Sequence, residues 1–321
     1  MRVSRGEAPL RRVVVIGAGF FGRVVARRLI DSGITPVFAS RSVGELLLDA
    51  EDLGSLDQAL RRGDILVDTA GPFQERSTML VEAAIEHGCD VIDLSDARAY
   101  AEKILALHDR AVANGVRILT SCSSIATVAA AAIRTSGLAS PDACDLFLAA
   151  APADTGTPAT VRAFLSSVDW SRSRDFPGGG RRGFPVDSAA AVLLPRSWPS
   201  LRRVELWADP NAPFAATSLA LASRLGLTRP LAALAPRLAR LLGRRDGMFA
   251  VAVSEGARVH VTALAAPRGS YHIAAEPAVL AVESLARGAG IPPGVVPADA
   301  QVDPAALFAR LVDLGVNVTR A

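Results

Sequence analysis

Short apolar runs alternate with helical patterns over the first 125 residues of the chain. Five compact runs have a centre of apolar residues, as strands do when both faces of a sheet are covered: residues 12–16, 36–39, 64–69, 90–94 and 116–120. Three segments between them have helical spacing and are followed by a glycine: residues 23–32, 77–87 and 99–114. This alternation predicts an α/β fold with a doubly wound parallel sheet of the Rossmann type.

The pattern changes after about residue 125, where a helical run over residues 125–133 begins. Strands are predicted beyond it at residues 143–150, 160–166, 204–207, 249–253 and 257–263. Helices are predicted at residues 214–244, 276–287 and 304–314. Residues 172–203 are rich in Gly, Pro, Ser and Arg, which indicates a hairpin or a mobile flap.

These two patterns predict two domains. Residues 1–125 and 272–321 are expected to form the Rossmann domain, with the last helices of the chain packed back on it. Residues 126–271 are expected to form an inserted α+β domain for substrate binding and dimerisation.

Composition narrows the class of protein. Half of the 321 residues are hydrophobic, which is enough for proper cores. A net charge of +3 with 5% aromatic residues gives no indication of nucleic-acid binding. The three cysteines have no metal-ligand or disulfide spacing, so we expect no metal and a cytoplasmic location. No apolar stretch reaches about 18 residues, so we expect no integral membrane segment.

A glycine fingerprint follows the first predicted strand. Gly17, Gly19 and Gly22 have the spacing GxGxxG, with Phe20 and Phe21 between the last two glycines. In this setting the first glycine permits a tight turn, the second permits backbone approach to a pyrophosphate, and the third permits close helix packing. The amides that begin the next helix favour an anion. We therefore predict dinucleotide binding here.

The end of the second predicted strand indicates which dinucleotide binds. It has Ser40, Arg41 and Ser42 where NAD-specific proteins have an acidic residue for the ribose hydroxyl. A guanidinium can bind a 2′-phosphate through two hydrogen bonds, which favours NADP(H). Small residues that end the third strand are expected to leave room for the ribose and nicotinamide: Ala70, Gly71, Pro72 and Phe73.

Several of these segments together resemble the saccharopine dehydrogenase-like NADP-binding family. The resemblance rests on residues 13–22, 40–42, 64–73, 81–95, 121–124 and the tail segment 290–297. It implies an NADP(H)-dependent oxidoreductase with an inserted substrate domain, and a homodimer. It also implies hydride transfer to a C=N centre of a small molecule, or to a similar C=C or C=O centre.

Candidate catalytic groups lie where predicted strands end. Asp93 and Asp96 follow one strand and Ser121 follows the next, so we expect Asp93 and Ser121 near the cofactor and Asp96 near substrate. Asp93 and the serines after Ser121 have an alternative role in capping the local backbone. Tyr271 and His272, at the return to the first domain, are candidate proton donors.

Two other functions remain open from the residues alone. Cys122 precedes a helical run, where a thiol has a lowered pKa, so it is a candidate nucleophile of a semialdehyde or acyl dehydrogenase with His260 as base. The same fold also suits a protein that binds NADP(H) without catalysis.

Overall fold

Two seven-stranded sheets organise the computed structural model, which describes residues 11–177, 180–212, 228–288 and 290–321. The strands of sheet A are β1 (Val13–Ile16), β2 (Val37–Ser40), β3 (Leu46–Leu47), β4 (Ile65–Asp68), β5 (Asp90–Asp93), β6 (Arg117–Leu119) and β13 (Gly294–Val295). They are all parallel and lie in the order β13-β6-β5-β4-β1-β2-β3. The predicted doubly wound parallel sheet is therefore confirmed.

Sheet B is mixed and lies beside sheet A. Its strands are β7 (Ala143–Ala149), β8 (Arg174–Asp175), β9 (Arg182–Val186), β10 (Arg203–Asp209), β11 (Gly247–Glu255), β12 (Arg258–Ala266) and β14 (Asn317–Arg320). Their order is β14-β12-β11-β7-β10-β9-β8, and only β7 and β10 run parallel among the described strands.

Helices cover both faces of sheet A and part of sheet B. They are α1 (Phe20–Asp31), α2 (Leu53–Ala59), α3 (Met79–His87), α4 (Arg98–Leu105), α5 (His108–Ala113), α6 (Ala129–Thr135), α7 (Pro152–Thr155), α8 (Pro158–Ser167), α9 (Ala190–Ser197), α10 (Thr228–Leu242), α11 (His272–Ala286) and α12 (Pro304–Asp313). A π-helical turn, Ser124–Val128, leads directly into α6.

The strand pattern explains how sheet A is buried. Val13 and Val15 of β1 pack with α1 and α11 on one face, whereas Val14 and Ile16 pack with α3 and α4 on the other. Because successive side chains of a strand point to opposite faces, a strand covered on both sides is apolar throughout. All four residues of β1 are accordingly buried.

A buried ion pair joins α11 to α1. Arg28 Nε donates to Glu276 Oε1 at 2.6 Å, and the Glu276 side chain is fully buried. Arg310 of α12 lies 3.7 Å from the second oxygen of the same carboxylate. Removing either arginine would leave a buried charge with less compensation, so these contacts help to hold α11 against α1 and α12.

Three predictions from the sequence are wrong in detail. Residues 160–166, predicted as a strand, belong to α8, because Thr157 caps Thr160 N at 3.2 Å and Pro158 fits the first helical turn. Residues 99–114, predicted as one helix, form α4 and α5 with a break at Ala106 and Leu107. Residues 172–203 contain the β8–β9 hairpin, but they also contain α9.

Other predictions agree with the structure or fall outside it. Residues 249–253 and 257–263 were expected to pair, and nearly all of them lie in the antiparallel strands β11 and β12. Of the predicted helix 214–244, residues 214–227 lie outside the described residues, and α10 occupies most of the remainder. Within the described ranges, none of the helices is long and apolar enough to span a bilayer.

Candidate active site

A cavity of about 650 Å³ crosses the carboxyl ends of four adjacent strands of sheet A. Its wall passes from Asp96 after β5, through the residues after β4 and β1, to Arg41 after β2. The lining includes Gly17, Gly19, Phe20, Phe21, Ser40, Arg41, Ser42, Ala70, Gly71, Pro72 and Phe73. From the opposite side α8 contributes Thr160 and Ala163. The cavity therefore contains most of the residues that the sequence proposed for the cofactor.

The three fingerprint glycines occupy different environments. Gly17 has a φ of +113°, and a Cβ there would lie 2.7 Å from Thr69 Oγ1. A Cβ at Gly22 would lie 1.9 Å from the carbonyl oxygen of Gly17, so α1 can approach the turn only with glycine there. A Cβ at Gly19 would meet no described atom within 4 Å and would project into open space. Gly17 and Gly22 are thus required by the backbone conformation and by the close packing of α1, whereas Gly19 leaves room for a ligand.

The start of α1 is suited to bind an anion. Gly19 is its N-cap residue, and none of the described side chains caps it. The amides of the first helical turn have no partner within the helix, and the helix dipole adds positive potential there. Together with the space beside Gly19, these amides fit a pyrophosphate.

Arg41 is the exposed cation at the β2 end of the cavity. It makes no ion pair with any described carboxylate. The Ser40 hydroxyl is already used locally, since it accepts from Val43 N at 3.0 Å and donates to the Val43 carbonyl. Arg41 thus fits the 2′-phosphate of NADP(H), and Ser40 shapes the turn that presents it.

Arg76 lines the cofactor cavity and binds three groups near the end of β4, and it was not predicted from the sequence. It donates to Asp68 Oδ2 at 3.2 Å, to Glu51 Oε1 at 2.6 Å and to the Ala70 carbonyl at 2.6 Å. Burial raises the pKa of Asp68, and Arg76 opposes that rise. Glu51 and Arg76 are 25 residues apart, so no local motif connects them. The hydrogen bonds of Arg76 hold the loop that follows β4 close to Asp68, the last residue of that strand.

Asp96 lies at the other end of the cavity, after β5. Ser123 Oγ donates to Asp96 Oδ1 at 3.1 Å, instead of capping the helix that follows it. The Asp96 side chain is exposed to water, but the protein atoms packed near its carboxyl restrict its hydration. This restricted hydration raises the pKa of Asp96 to about 6, and the Ser123 hydrogen bond opposes the rise. An accessible carboxyl with this pKa is suited to exchange a proton near neutral pH.

Asp96 also lines a second cavity of about 460 Å³. This cavity lies between sheet B and the helices α7, α8 and α10. Four described residues belong to both cavity walls: Gln74, Asp96, Thr160 and Ala163. The two cavities therefore adjoin each other, and Asp96 is the ionisable residue at their junction.

Asp93 and Ser121 lie behind the cavity wall and are not among its lining residues. Asp93 Oδ1 accepts from Ser95 N and from Ser121 N, each at 2.9 Å, and both residues are fully buried. Burial raises the pKa of Asp93 to about 7, and these two amides oppose the rise. Asp93 thus joins the loops that follow β5 and β6, and this geometry gives no support to a direct cofactor contact.

We expect Asp93→Ala to lower the free energy of unfolding by about 2–5 kcal/mol, because two buried amides would lose their acceptor. Asp93→Asn keeps an oxygen there and should cost less. The pKa of Asp93 in the folded protein is raised above the unfolded value of about 3.9, so the folded protein keeps a proton that the unfolded chain has lost. Asp93 should therefore lower the free energy of unfolding as the pH rises from about 4 to about 7. Denaturant unfolding across that range should show a weaker pH slope in Asp93→Asn. An unchanged slope would contradict this assignment.

Cys122 is fully buried in the apolar cluster between β1 and α11. Burial raises the pKa of its thiol, which is the opposite of what a nucleophilic thiolate requires. His260 lies on β12 of sheet B, 3.4 Å from Thr262 Oγ1, and is not among the residues lining the cofactor cavity. The geometry therefore does not favour the thiol-dependent alternative.

Tyr271 and His272 lie at the start of α11 and outside the cavity lining. The Tyr271 ring packs edge-on against Phe20, with 5.0 Å between ring centroids, so it supports a residue of the cavity wall. His272 Nδ1 lies 3.9 Å from the buried Glu276 carboxylate. Burial and the nearby Arg28 lower the pKa of His272. Neither residue is placed to donate a proton into the cavity.

Comparisons with known proteins agree with the cofactor cavity. Residues 13–119 match the family model for the saccharopine dehydrogenase NADP binding domain. A "Lipid droplet localized protein" of Caenorhabditis elegans is 27% identical over 137 residues, 34% of this chain and 32% of that protein. A "Probable mitochondrial saccharopine dehydrogenase-like oxidoreductase" of Arabidopsis thaliana is 26% identical over 152 residues, 38% of this chain and 34% of that protein. The matches thus span about a third of these relatives.

A human "Saccharopine dehydrogenase-like oxidoreductase" is 29% identical over 83 residues, 26% of this chain and 19% of that protein. Among solved structures, GenD2 from gentamicin A biosynthesis, in complex with NAD, is 14% identical over 100% of both chains with a TM-score of 0.46. The resemblance inferred from the sequence is confirmed over residues 13–119, which match the saccharopine dehydrogenase NADP-binding domain, and NADP(H) is the cofactor of that domain.

Proposed function

We propose that this protein is an NADP(H)-dependent reductase of a small molecule with a C=N bond, or a comparable C=C or C=O bond. The observation that carries the proposal is the position of Asp96, a carboxyl with a raised pKa at the junction of the cofactor cavity and the second cavity. A group that donates a proton must reach substrate beside the cofactor, and Asp96 occupies that boundary.

Each part of the site has one task in this reaction. The amides at the start of α1 and Arg41 hold the phosphate groups of the dinucleotide. NADPH, when bound, supplies the hydride. Asp96 holds a proton on its carboxyl and donates it to the substrate nitrogen or oxygen, or to carbon in a C=C substrate. Ser123 orients that carboxyl through its hydrogen bond to Oδ1.

Titration of the purified protein with NADPH and NADH tests the cofactor part of the proposal. We expect NADPH to bind more tightly, and binding of neither nucleotide would overturn it. Loss of NADPH absorbance across a panel of imines, enoyl compounds and carbonyl compounds tests the reaction. Nucleotide binding without turnover of any compound would favour the alternative of a protein that binds NADP(H) without catalysis.

Arg41→Ala is expected to weaken NADPH binding by about tenfold to a hundredfold, since a charge-assisted contact contributes roughly 1.5–3 kcal/mol. NADH lacks the 2′-phosphate, so its affinity should change little. Equilibrium dissociation constants for both nucleotides, measured on both proteins, check this selectivity. Equal losses for NADPH and NADH would contradict the proposed role of Arg41.

A homodimer and a cytoplasmic location belong to the proposal as predictions from the sequence and the family resemblance. The mass of the purified protein in solution, measured by light scattering, tests the first. Localisation of a tagged chain in its own cells tests the second.

A further inference from the structure

The wall of the second cavity is mainly apolar. Sheet B contributes Leu148 and Leu206 from the face that also packs against α6 and α9, and Ala150 and Ala208 lie two residues further along the chain from them. The helices and the segments beside them contribute Pro152, Val161, Phe164, Leu165, Leu238 and Ala239. A volume of about 460 Å³ is within the range of small-molecule sites, which are commonly lined by apolar side chains with few polar groups.

The charged residues in the described part of this cavity wall are all aspartates, and two of them pair with arginines outside the wall: Asp187 with Arg98 at 3.8 Å and Asp209 with Arg181 at 3.6 Å. Asp96, Asp187 and Asp209 are part of its wall, whereas none of the described lining residues is Arg, Lys or His. A substrate carboxylate placed here would be desolvated with no cation among the described lining residues to pair with it, which is costly. An apolar chain, in contrast, would gain from leaving water. A neutral or cationic imine meets no such penalty beside Asp96.

The part of the cavity wall that α10 forms is apolar and partly exposed to solvent. Leu238 and Leu242 of α10 belong to it, and 44% and 56% of their surfaces remain exposed. Leucines left in water on the wall of a cavity become covered when an apolar molecule binds beside them. The opposite end of the cavity reaches Asp96 and the cofactor cavity.

We propose that the second cavity is the substrate compartment and that it selects an apolar substrate chain without an anionic group. This inference rests on the proposed function for the identity of the reacting end, which lies at Asp96. The rest of the substrate extends from there along sheet B towards α10. Amino-dicarboxylates, which need basic partners, are excluded from this compartment.

A homologous series of 2-alkylpyrrolidines, the saturated products of cyclic imines, tests this selection by calorimetry in the presence of NADP⁺. Each added methylene should tighten binding by about fourfold until the cavity is filled, because burial of one methylene gains about 0.8 kcal/mol. The same compounds ending in a carboxylate should bind at least about tenfold more weakly, since a buried ion would lack a partner. Affinity that is independent of chain length, or higher for the carboxylates, would overturn the inference.

Two variants on one helix provide a matched pair. Leu238→Glu places a charge on the cavity wall and should abolish the dependence on chain length. Leu241→Glu makes the same change at a residue that is 80% exposed and is not among the lining residues, so it should behave as the parent protein. Both should bind NADPH normally. Equal behaviour of the two variants towards the alkyl series contradicts the inference.

Turnover separates this inference from the proposed function. The corresponding 2-alkyl-1-pyrrolines are offered with NADPH. Binding that follows chain length without NADPH oxidation supports the apolar compartment and contradicts the reductase. NADPH oxidation with polar or anionic imines alone supports the reductase and contradicts the apolar compartment.

Discussion

Gly19→Ala is expected to weaken NADPH binding by about tenfold to a hundredfold while leaving the stability of the protein unchanged. A Cβ at Gly19 would meet no described atom within 4 Å, and its φ of −75° is ordinary for alanine. The added methyl would instead occupy the space through which the pyrophosphate approaches the amides of α1. Overpacking of that kind costs about 1–3 kcal/mol.

Gly22→Ala is the matched variant, with the opposite expectation for stability. Its Cβ would lie 1.9 Å from the Gly17 carbonyl oxygen, so α1 must shift away from the turn, and the free energy of unfolding should fall by about 1–3 kcal/mol or more. Denaturant unfolding and NADPH titration of both variants measure the two effects separately. If Gly19→Ala destabilises the protein as much as Gly22→Ala, the space beside Gly19 is not a ligand site.

Asp96→Asn is expected to lower kcat for reduction by about 10²-fold or more, because an amide cannot supply the proton that general acid catalysis requires. Under the proposed function, the acid form of Asp96 is the active form in the parent protein. With the pKa of Asp96 raised to about 6, kcat should therefore be highest below that pH and fall about tenfold per pH unit above it. Asp96→Asn should lose this pH dependence, and NADPH affinity should remain near the parent value.

Ser123→Ala distinguishes a proton donor from a merely structural carboxyl. Its hydroxyl lowers the pKa of Asp96, so removing it should move the fall in kcat to higher pH. Glu102→Gln, which removes an exposed carboxylate on α4, should leave the pH profile in place. A profile that is identical in the parent, Ser123→Ala and Asp96→Asn proteins excludes Asp96 as the proton donor.

The sequence predicts most of sheet A because the signals for that sheet are local. Buried parallel strands have apolar centres that are visible in the sequence. The glycines that end helices, and those of the fingerprint, lie within a few residues of these strands along the chain. The misassigned segment 160–166 has β-branched and aromatic residues typical of strands, but the cap at Thr157 decides its structure.

Residues of the candidate site could be predicted from the sequence only where they belong to a local motif. The glycines, Arg41 and the loop after β4 were found from their positions relative to strands. Arg76 was missed because its partners Glu51 and Asp68 are brought to it only by the fold. Cys122 has a helical run after it in the sequence, but burial, which no local pattern reveals, removes its reactivity. The apolar cavity combines residues from 74 to 242 and likewise has no local signal.

The exposure of Asp96 to water has a consequence for the catalytic cycle. Under the proposed function each reduction consumes the proton of this carboxyl, which must be replaced before the next turnover. Because the Asp96 side chain is exposed to water, hydronium or buffer acid can restore the proton directly. A reductase that uses Asp96 in this way needs no chain of internal groups to conduct protons, and the acid–base state of Asp96 follows the pH of the surrounding solution.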